Sequence, residues 1–177
     1  MITKKDVDEV LIMADSCTFP EKWRRPGQPT RVNRIQAFLS ISPLLKGRLY
    51  WYALRQTYDC CDNLFDYRND VKMSFRSEEP ERQVLMNKKE RDYLQNLPEQ
   101  ITIYRGMTEQ EYKSGIFGVS WTLRYETAEF FAETYIRNFA TNHLTKVVHE
   151  LVVNKSEVIA FFNERKEFEI IYIQPEA

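Results

Sequence analysis

Glycine, cysteine and histidine are scarce in this chain, with 5, 3 and 2 copies among 177 residues. Five glycines leave no G-x-G-x-x-G and no P-loop spacing, which excludes the phosphate-cradling loops of doubly wound nucleotide folds. The cysteines are Cys17 and the adjacent Cys60 and Cys61. An odd count without C-x-x-C argues for reduced thiols in a cytoplasmic setting and against a disulfide framework. His143 and His149 have no cysteine near them, so no zinc or other metal site is expected. No apolar run approaches the 18 residues that signal a membrane helix, and the opening Met1-Ile2-Thr3-Lys4-Lys5-Asp6-Val7 has no secretory character. A soluble protein with no membrane partner is the expectation. A net charge of -1 gives the whole chain no electrostatic bias toward nucleic acid.

What the chain does hold is enough apolar surface for a core, 43% hydrophobic and 14% aromatic residues, which excludes disorder. A first helix is predicted over Lys4–Ser16, capped by Thr3 with Asp6 three residues on, its stripe made by Val7, Val10, Leu11 and Ala14. Pro20, Pro26, Gly27 and Pro29 predict a loop from Phe19 to Thr30. Helices follow over Arg31–Leu39 and from near Pro43 to about Tyr58, and another from a Ser77 cap to Leu97. From Lys22 to Tyr58 there is no acidic residue, while Lys22, Arg24, Arg25, Arg31, Arg34, Lys46, Arg48 and Arg55 alternate with Trp23, Phe38, Tyr50, Trp51 and Tyr52. Such a tract suits a nucleic-acid surface, with cations for phosphates and rings for bases. It equally suits two helices with basic solvated faces and aromatic cores. Acidic Asp59, Asp62, Asp66 and Asp70 come next. Up to Pro98 there are 17 basic and 14 acidic residues, and after it 8 and 12. The organisational boundary is therefore placed at Pro98, with a helical region over 1–98 and a second region over 99–177.

Beyond Pro98 the period becomes two. Ile101, Ile103 and Arg105 share one strand face, Thr102 and Tyr104 the other, and Gly106 is expected to end the strand. Arg105, at the end of a buried face, suits a diphosphate, a carboxylate, or a salt bridge to a nearby Glu. Gly118–Leu123 is again extended, with Ser120 and Thr122 on one face. A helix is predicted over Glu126–Asn138, burying Ala128, Phe131, Ala132, Tyr135 and Phe139, followed by strands over Lys146–Val153 and Val158–Phe161. The last strand begins by Glu167 and continues through Phe168, Glu169, Ile170, Ile171, Tyr172 and Ile173. On it Glu167 and Glu169 would project to one side, either as a carboxylate pair at a sheet mouth or as solvated residues of an edge strand. The element order predicts an α+β fold with a mainly antiparallel sheet.

An Arg ending one strand, a Ser-x-Thr on a second and a Glu-x-Glu on a third, in this order, resemble the R-S-E signature of the ADP-ribosyltransferase superfamily related to arginine-modifying bacterial toxins. The pieces are Tyr104-Arg105-Gly106, Ser120-Trp121-Thr122 and Glu167-Phe168-Glu169, within Ile101–Gln174. The resemblance implies a helical N-terminal part packed on an ADP-ribosyltransferase-like core, with NAD as co-substrate. It implies Glu169 and Glu167 as catalytic residues, and Arg105, Ser120, Thr122, Tyr104 and Gly106 as NAD-binding ones. The acceptor would be a macromolecule, either RNA or DNA or a protein arginine, and the setting a toxin or phage-defence system with a neutralising antitoxin partner. The family pattern often has Ser at Thr122, and the stretch from Phe161 to Glu167 is short for a target-recognition loop. Two rival expectations are an NAD glycohydrolase that passes ribose only to water and a non-enzymatic interaction module of the same fold.

Overall fold

A computed structural model describes residues 2–16, 19–24, 26–27, 32–61, 64, 66–134 and 145–175. The chain divides into two compact units, Met1–Leu85 and Met86–Ala177. The fold is α+β, with a helical first unit and a five-stranded antiparallel sheet in the second. Among the described residues no helix is long and apolar enough to cross a membrane.

The first unit is built from α1 (Lys4–Asp15), α2 (Arg34–Ile41), α3 (Arg48–Cys60) and α4 (Arg68–Phe75). Thr3 and Asp6 form the expected capping box, and Val7, Val10, Leu11 and Ala14 are the buried stripe of α1. α2 starts later than expected because Asn33 and Gln36 make a second capping box, and Arg31 lies outside the described residues. α3 starts at Arg48 rather than near Pro43. Ser42–Leu44 is a short 3-10 turn, and Gly47 takes φ 50, a left-handed value that suits glycine. The Glu79 carboxylate anchors that junction by accepting from the Gly47 amide at 2.7 Å and Lys46 Nζ at 3.0 Å, and the same bonds hold its pKa below the usual carboxylate range. The helix expected from Ser77 to Leu97 is broken. Glu81 stands at φ 65, Arg82–Leu85 is a 3-10 turn, and Asn87 with Glu90 caps a separate helix α5, Lys88–Asn96. α4 is hidden in the sequence by its polar composition, with only Val71, Ser74 and Phe75 buried.

Among the described residues, folding pairs the cations of the tract that lacks acids with carboxylates. Lys22 meets Glu9, Arg24 meets Glu21, Arg34 meets Asp15, Lys46 meets Glu79, Arg48 meets Glu81 and Arg55 meets Asp59. Every one of these carboxylates comes from outside Lys22–Tyr58. Of the aromatics, Phe38, Tyr50 and Trp51 are core, and the Trp51 indole N–H donates to the carbonyls of Glu79 and Pro80. Tyr52 donates to Asp8 at 2.7 Å, and burial first and this bond second push its pKa up to about 12. Cys17, Arg25 and Asp62 lie outside the described residues.

The second unit holds α5, β1 (Gln100–Thr108), α6 (Glu109–Ser114), β2 (Ser120–Thr122), α7 (Tyr125–Glu129) with a π-helical turn over Phe130–Thr134, β3 (Lys146–Asn154), β4 (Ala160–Phe162) and β5 (Glu169–Ile171). The strand order is β3-β1-β2-β5-β4 and every described pairing is antiparallel. The unit begins ahead of Pro98 because α5 packs on β4, where the Tyr93 ring stacks on Phe161 with centroids 4.5 Å apart. Ile101, Ile103, Met107, Trp121, Val153, Phe161 and Ile170 form its core. Gly106 does not end β1 but lies inside it, paired with Val148. A Cβ there would overlap the Ala128 carbonyl and come within 2.7 Å of the Ala132 amide, so glycine is what lets α7 and its π turn approach the sheet. Tyr135, Phe139 and His143 lie outside the described residues. On β3, opposite Arg105, His149 packs between Tyr112, Phe117 and Trp121.

Because the atoms facing Gly106 are backbone, Gly106→Ala is expected to cost about 3 kcal/mol, the upper end of overpacking penalties, measured by denaturant unfolding. His149 gives a second expectation. Burial lowers its pKa from the ordinary 6.5, so the unfolded chain binds the proton more readily. Its contribution is therefore complete above about pH 6.5 and is lost as pH falls from there through the folded pKa. Thermal unfolding should show a larger loss of stability on acidification for the native chain than for His149→Phe.

Candidate active site

Sheet register decides which side chains meet. Thr122 pairs with Glu169 and Ser120 with Ile171, so Ser120, Thr122 and Glu169 project from one face of β2 and β5. Across the diagonal, the Ser120 hydroxyl donates to Glu169 Oε1 at 2.5 Å. The Glu169 side chain is only 6% exposed, and a carboxylate so covered needs such partners. Thr122 does something different. Its hydroxyl donates to the Glu167 carbonyl at 2.7 Å and accepts from the Arg124 amide at 3.1 Å, tying the loop before β5 to the loop after β2.

That loop corrects the expected strand. β5 begins at Glu169, and Phe168 ahead of it stands at φ 50, which interrupts the alternation meant to align Glu167 with Glu169. The Lys166 amide donates to the Asn163 carbonyl at 3.1 Å, closing a turn with Glu164 and Arg165 at its tip, and Lys166 is itself at φ 60. Left-handed backbone costs a residue with a Cβ about 1–2 kcal/mol. At Phe168 the opposing contacts are visible. The Arg124 guanidinium sits 3.4 Å from the ring centroid, and Phe161 and Tyr93 flank the ring. The Phe168 amide donates to Asn163 Oδ1 at 3.2 Å, and its carbonyl accepts from the Leu123 amide at 3.0 Å. A cation over a ring alone is worth about 0.5–2 kcal/mol, the same order as the strain, so the turn is held in place.

The two carboxylates are linked by a residue that sequence reasoning passed over. Arg165 Nε donates to Glu167 Oε2 at 3.0 Å and Nη2 to Glu169 Oε2 at 3.1 Å. Its side chain is 47% exposed and that of Glu167 27%. The signal was present, since Arg165 precedes the two glutamates by two and four residues.

Arg105 is placed elsewhere. Tyr104 pairs with Thr122 and shares its face, so Arg105 projects with Ile103 on the opposite face, that of Trp121. Its Nη1 donates to the Ser120 carbonyl at 2.7 Å, and Nε and Nη2 donate to Glu111 Oε1 at 3.1 and 2.9 Å. Glu111, from the unforeseen helix α6, also accepts from the Gly118 amide at 3.3 Å. The salt-bridge alternative is thus the bond Arg105 makes. It buttresses the backbone of Ser120, and no hydrogen bond joins it to the Glu169 carboxylate among the described contacts. Tyr104 meets the ring of Tyr125 at 5.7 Å, on the Glu169 face, and Gly106 serves the packing of α7. Among the described residues no three His, Cys, Asp or Glu side chains gather as metal ligands would.

The arrangement offers a nearly buried, oriented carboxylate with a second carboxylate beside it, which suits stabilising a positive charge that develops on a neighbouring group. Gly118 supports it indirectly, because a Cβ there would lie 2.7 Å from Arg105 Nη2. That atom ends a long side chain and can yield, so Gly118→Ala should destabilise the unit less than Gly106→Ala does. Equal losses in denaturant unfolding would mean that the Arg105–Glu111 pair cannot move. No family model, curated protein or solved structure matches the chain, so the chemistry is read from these residues alone.

Proposed function

We propose that this protein transfers ADP-ribose from NAD to a macromolecular acceptor. The observation that carries the reading is the Ser120–Glu169 hydrogen bond on neighbouring strands, with the Glu167 carboxylate joined to Glu169 through one guanidinium. In the transfer, the bond between ribose C1′ and the nicotinamide nitrogen breaks, and its electron pair leaves on the neutral ring. The ribose passes through an oxocarbenium-like state of the kind glycosidases stabilise. Glu169 stabilises that charge and accepts from the ribose 2′-hydroxyl, while Ser120 orients it. An acceptor atom then bonds to C1′ and gives its proton to Glu167. Arg105 acts as a positioning residue for the Ser120 strand, because three of its donors are directed to Glu111 and to the Ser120 carbonyl.

Charge favours a cationic acceptor such as a protein arginine over a nucleobase. Two carboxylates at the site repel a polyanion, and the cations of the Lys22–Tyr58 tract have carboxylate partners wherever they are described. A toxin or effector role with a neutralising partner belongs to the same proposal.

The test is incubation of the native protein with labelled NAD and a cell extract, then separate protease and nuclease digestion. Label that survives nuclease and not protease is the expected result. Label with the opposite behaviour would make the acceptor a nucleic acid. Nicotinamide without label would make the protein a glycohydrolase, and neither product from folded protein would leave an interaction module. Glu169→Gln should lower transfer by on the order of 10² to 10³ while folding is retained. Glu167→Gln should spare transfer to water more than transfer to the macromolecule. Full transfer by both variants would refute the assignment.

A further inference from the structure

Resting on the transferase reading, we infer that Arg165 is a built-in competitor of substrate, a displaceable cation that covers Glu169 and Glu167 until NAD and the acceptor take its place. The two oxygens of Glu169 are held differently. Ser120 keeps Oε1 at 2.5 Å from inside the sheet, whereas Arg165 covers Oε2 at 3.1 Å from the turn. Oε2 is the oxygen that Ser120 does not take, and the same guanidinium bonds Glu167 Oε2, the group assigned to the acceptor proton. A cation in that position also opposes the chemistry. A carboxylate that must stabilise a developing positive ribose does so best when no fixed positive charge already neutralises it.

The setting of Arg165 fits a residue that leaves. It sits at the tip of the Asn163–Lys166 turn with 47% of its side chain exposed, so water can take over its donors when it swings out, although Glu169 at the other end of the pair is 6% exposed. Arg105 differs in exposure, with 17% of its side chain open and a carboxylate partner that is itself only 14% exposed. The backbone under Arg165 can stay put while the side chain swings, since Phe168 and Asn163 anchor the loop.

A competitor lowers the fraction of protein ready to bind, so its removal lowers the apparent KM by that fraction. The experiment compares nicotinamide release from NAD by the native protein, Arg165→Ala and Arg165→Lys. Alongside it, calorimetric titration with agmatine serves as a guanidinium probe that needs no turnover. Arg165→Ala should lower the KM for NAD by roughly two- to fivefold, the range open to an ion pair that water reaches, with Arg165→Lys between it and the native protein. Agmatine should bind Arg165→Ala more tightly than the native chain by a similar factor. A fall in kcat at unchanged KM, restored by Arg165→Lys, would overturn the inference and make Arg165 an orienting residue. Equal KM and equal agmatine affinity would also overturn it and leave the transferase standing. Nicotinamide from neither protein, with agmatine still preferring the variant, would sink the transferase reading and keep the competitor. Arg165→Gln repeats the comparison should alanine disturb the turn.

Discussion

A carboxylate buried in a sheet must have its oxygens hydrogen-bonded, and most of the second unit serves that requirement at Glu169. Ser120 can reach it only because β2 lies beside β5 in the register that puts Thr122 opposite Glu169. β2 and β5 are three residues each, too short for their ladders alone to fix that register firmly. Side chains supply the rest. Arg105 grips the Ser120 carbonyl, Thr122 grips the Glu167 carbonyl, and the Ser120–Glu169 bond closes the third tie. Each tie runs between sequence-distant segments, so losing one loosens the geometry of the others.

Two arginines divide the work around this carboxylate. Arg105 and Glu111 are largely buried, and breaking such a pair by removing one partner typically costs about 3–5 kcal/mol, so they behave as framework. Arg165 makes bonds of similar length from a turn where its own side chain is half-exposed, so water reaches that end of the pair, whereas both Arg105 and Glu111 are covered. The strain is stored next to it, in the left-handed Lys166 and Phe168. A turn that keeps two strained residues beside the proposed catalytic carboxylate is held by its surroundings rather than by its own preference.

Much of this fold could be read from the chain. Period-two alternation found β1 and β3, apolar stripes found α1 and the start of α7, and together they gave the α+β antiparallel class. What escaped detection had local causes. α4 and α6 are polar helices with few buried residues, so no stripe announces them. The Asn87–Glu90 capping box was hidden behind the better-looking Ser77 start, and Gly106 looked like a strand end when it marks a close approach to α7. At the site, Glu169 could be named because a carboxylate in an apolar strand demands a reason, and Ser120 through the resemblance to the R-S-E signature. Arg165 could not, because a charged residue in a turn demands none. The face on which Arg105 lies was also beyond reach, since it depends on the pairing of Tyr104 with Thr122 across segments far apart in sequence.

Charge in sequence and charge in space differ most in the first unit. A tract from Lys22 to Tyr58 without one acid looks cationic when written as a line. Once folded, α1 contributes Glu9 and Asp15, the segment after α4 contributes Glu79 and Glu81, and the described cations find partners. Exposed pairs of this kind add little stability, but they cancel the long-range field that would draw in a polyanion. At Glu167 and Glu169, by contrast, one half-exposed guanidinium bonds two carboxylates. On the proposed reading, displacement of that guanidinium is the step that would open both carboxylates to a cationic group.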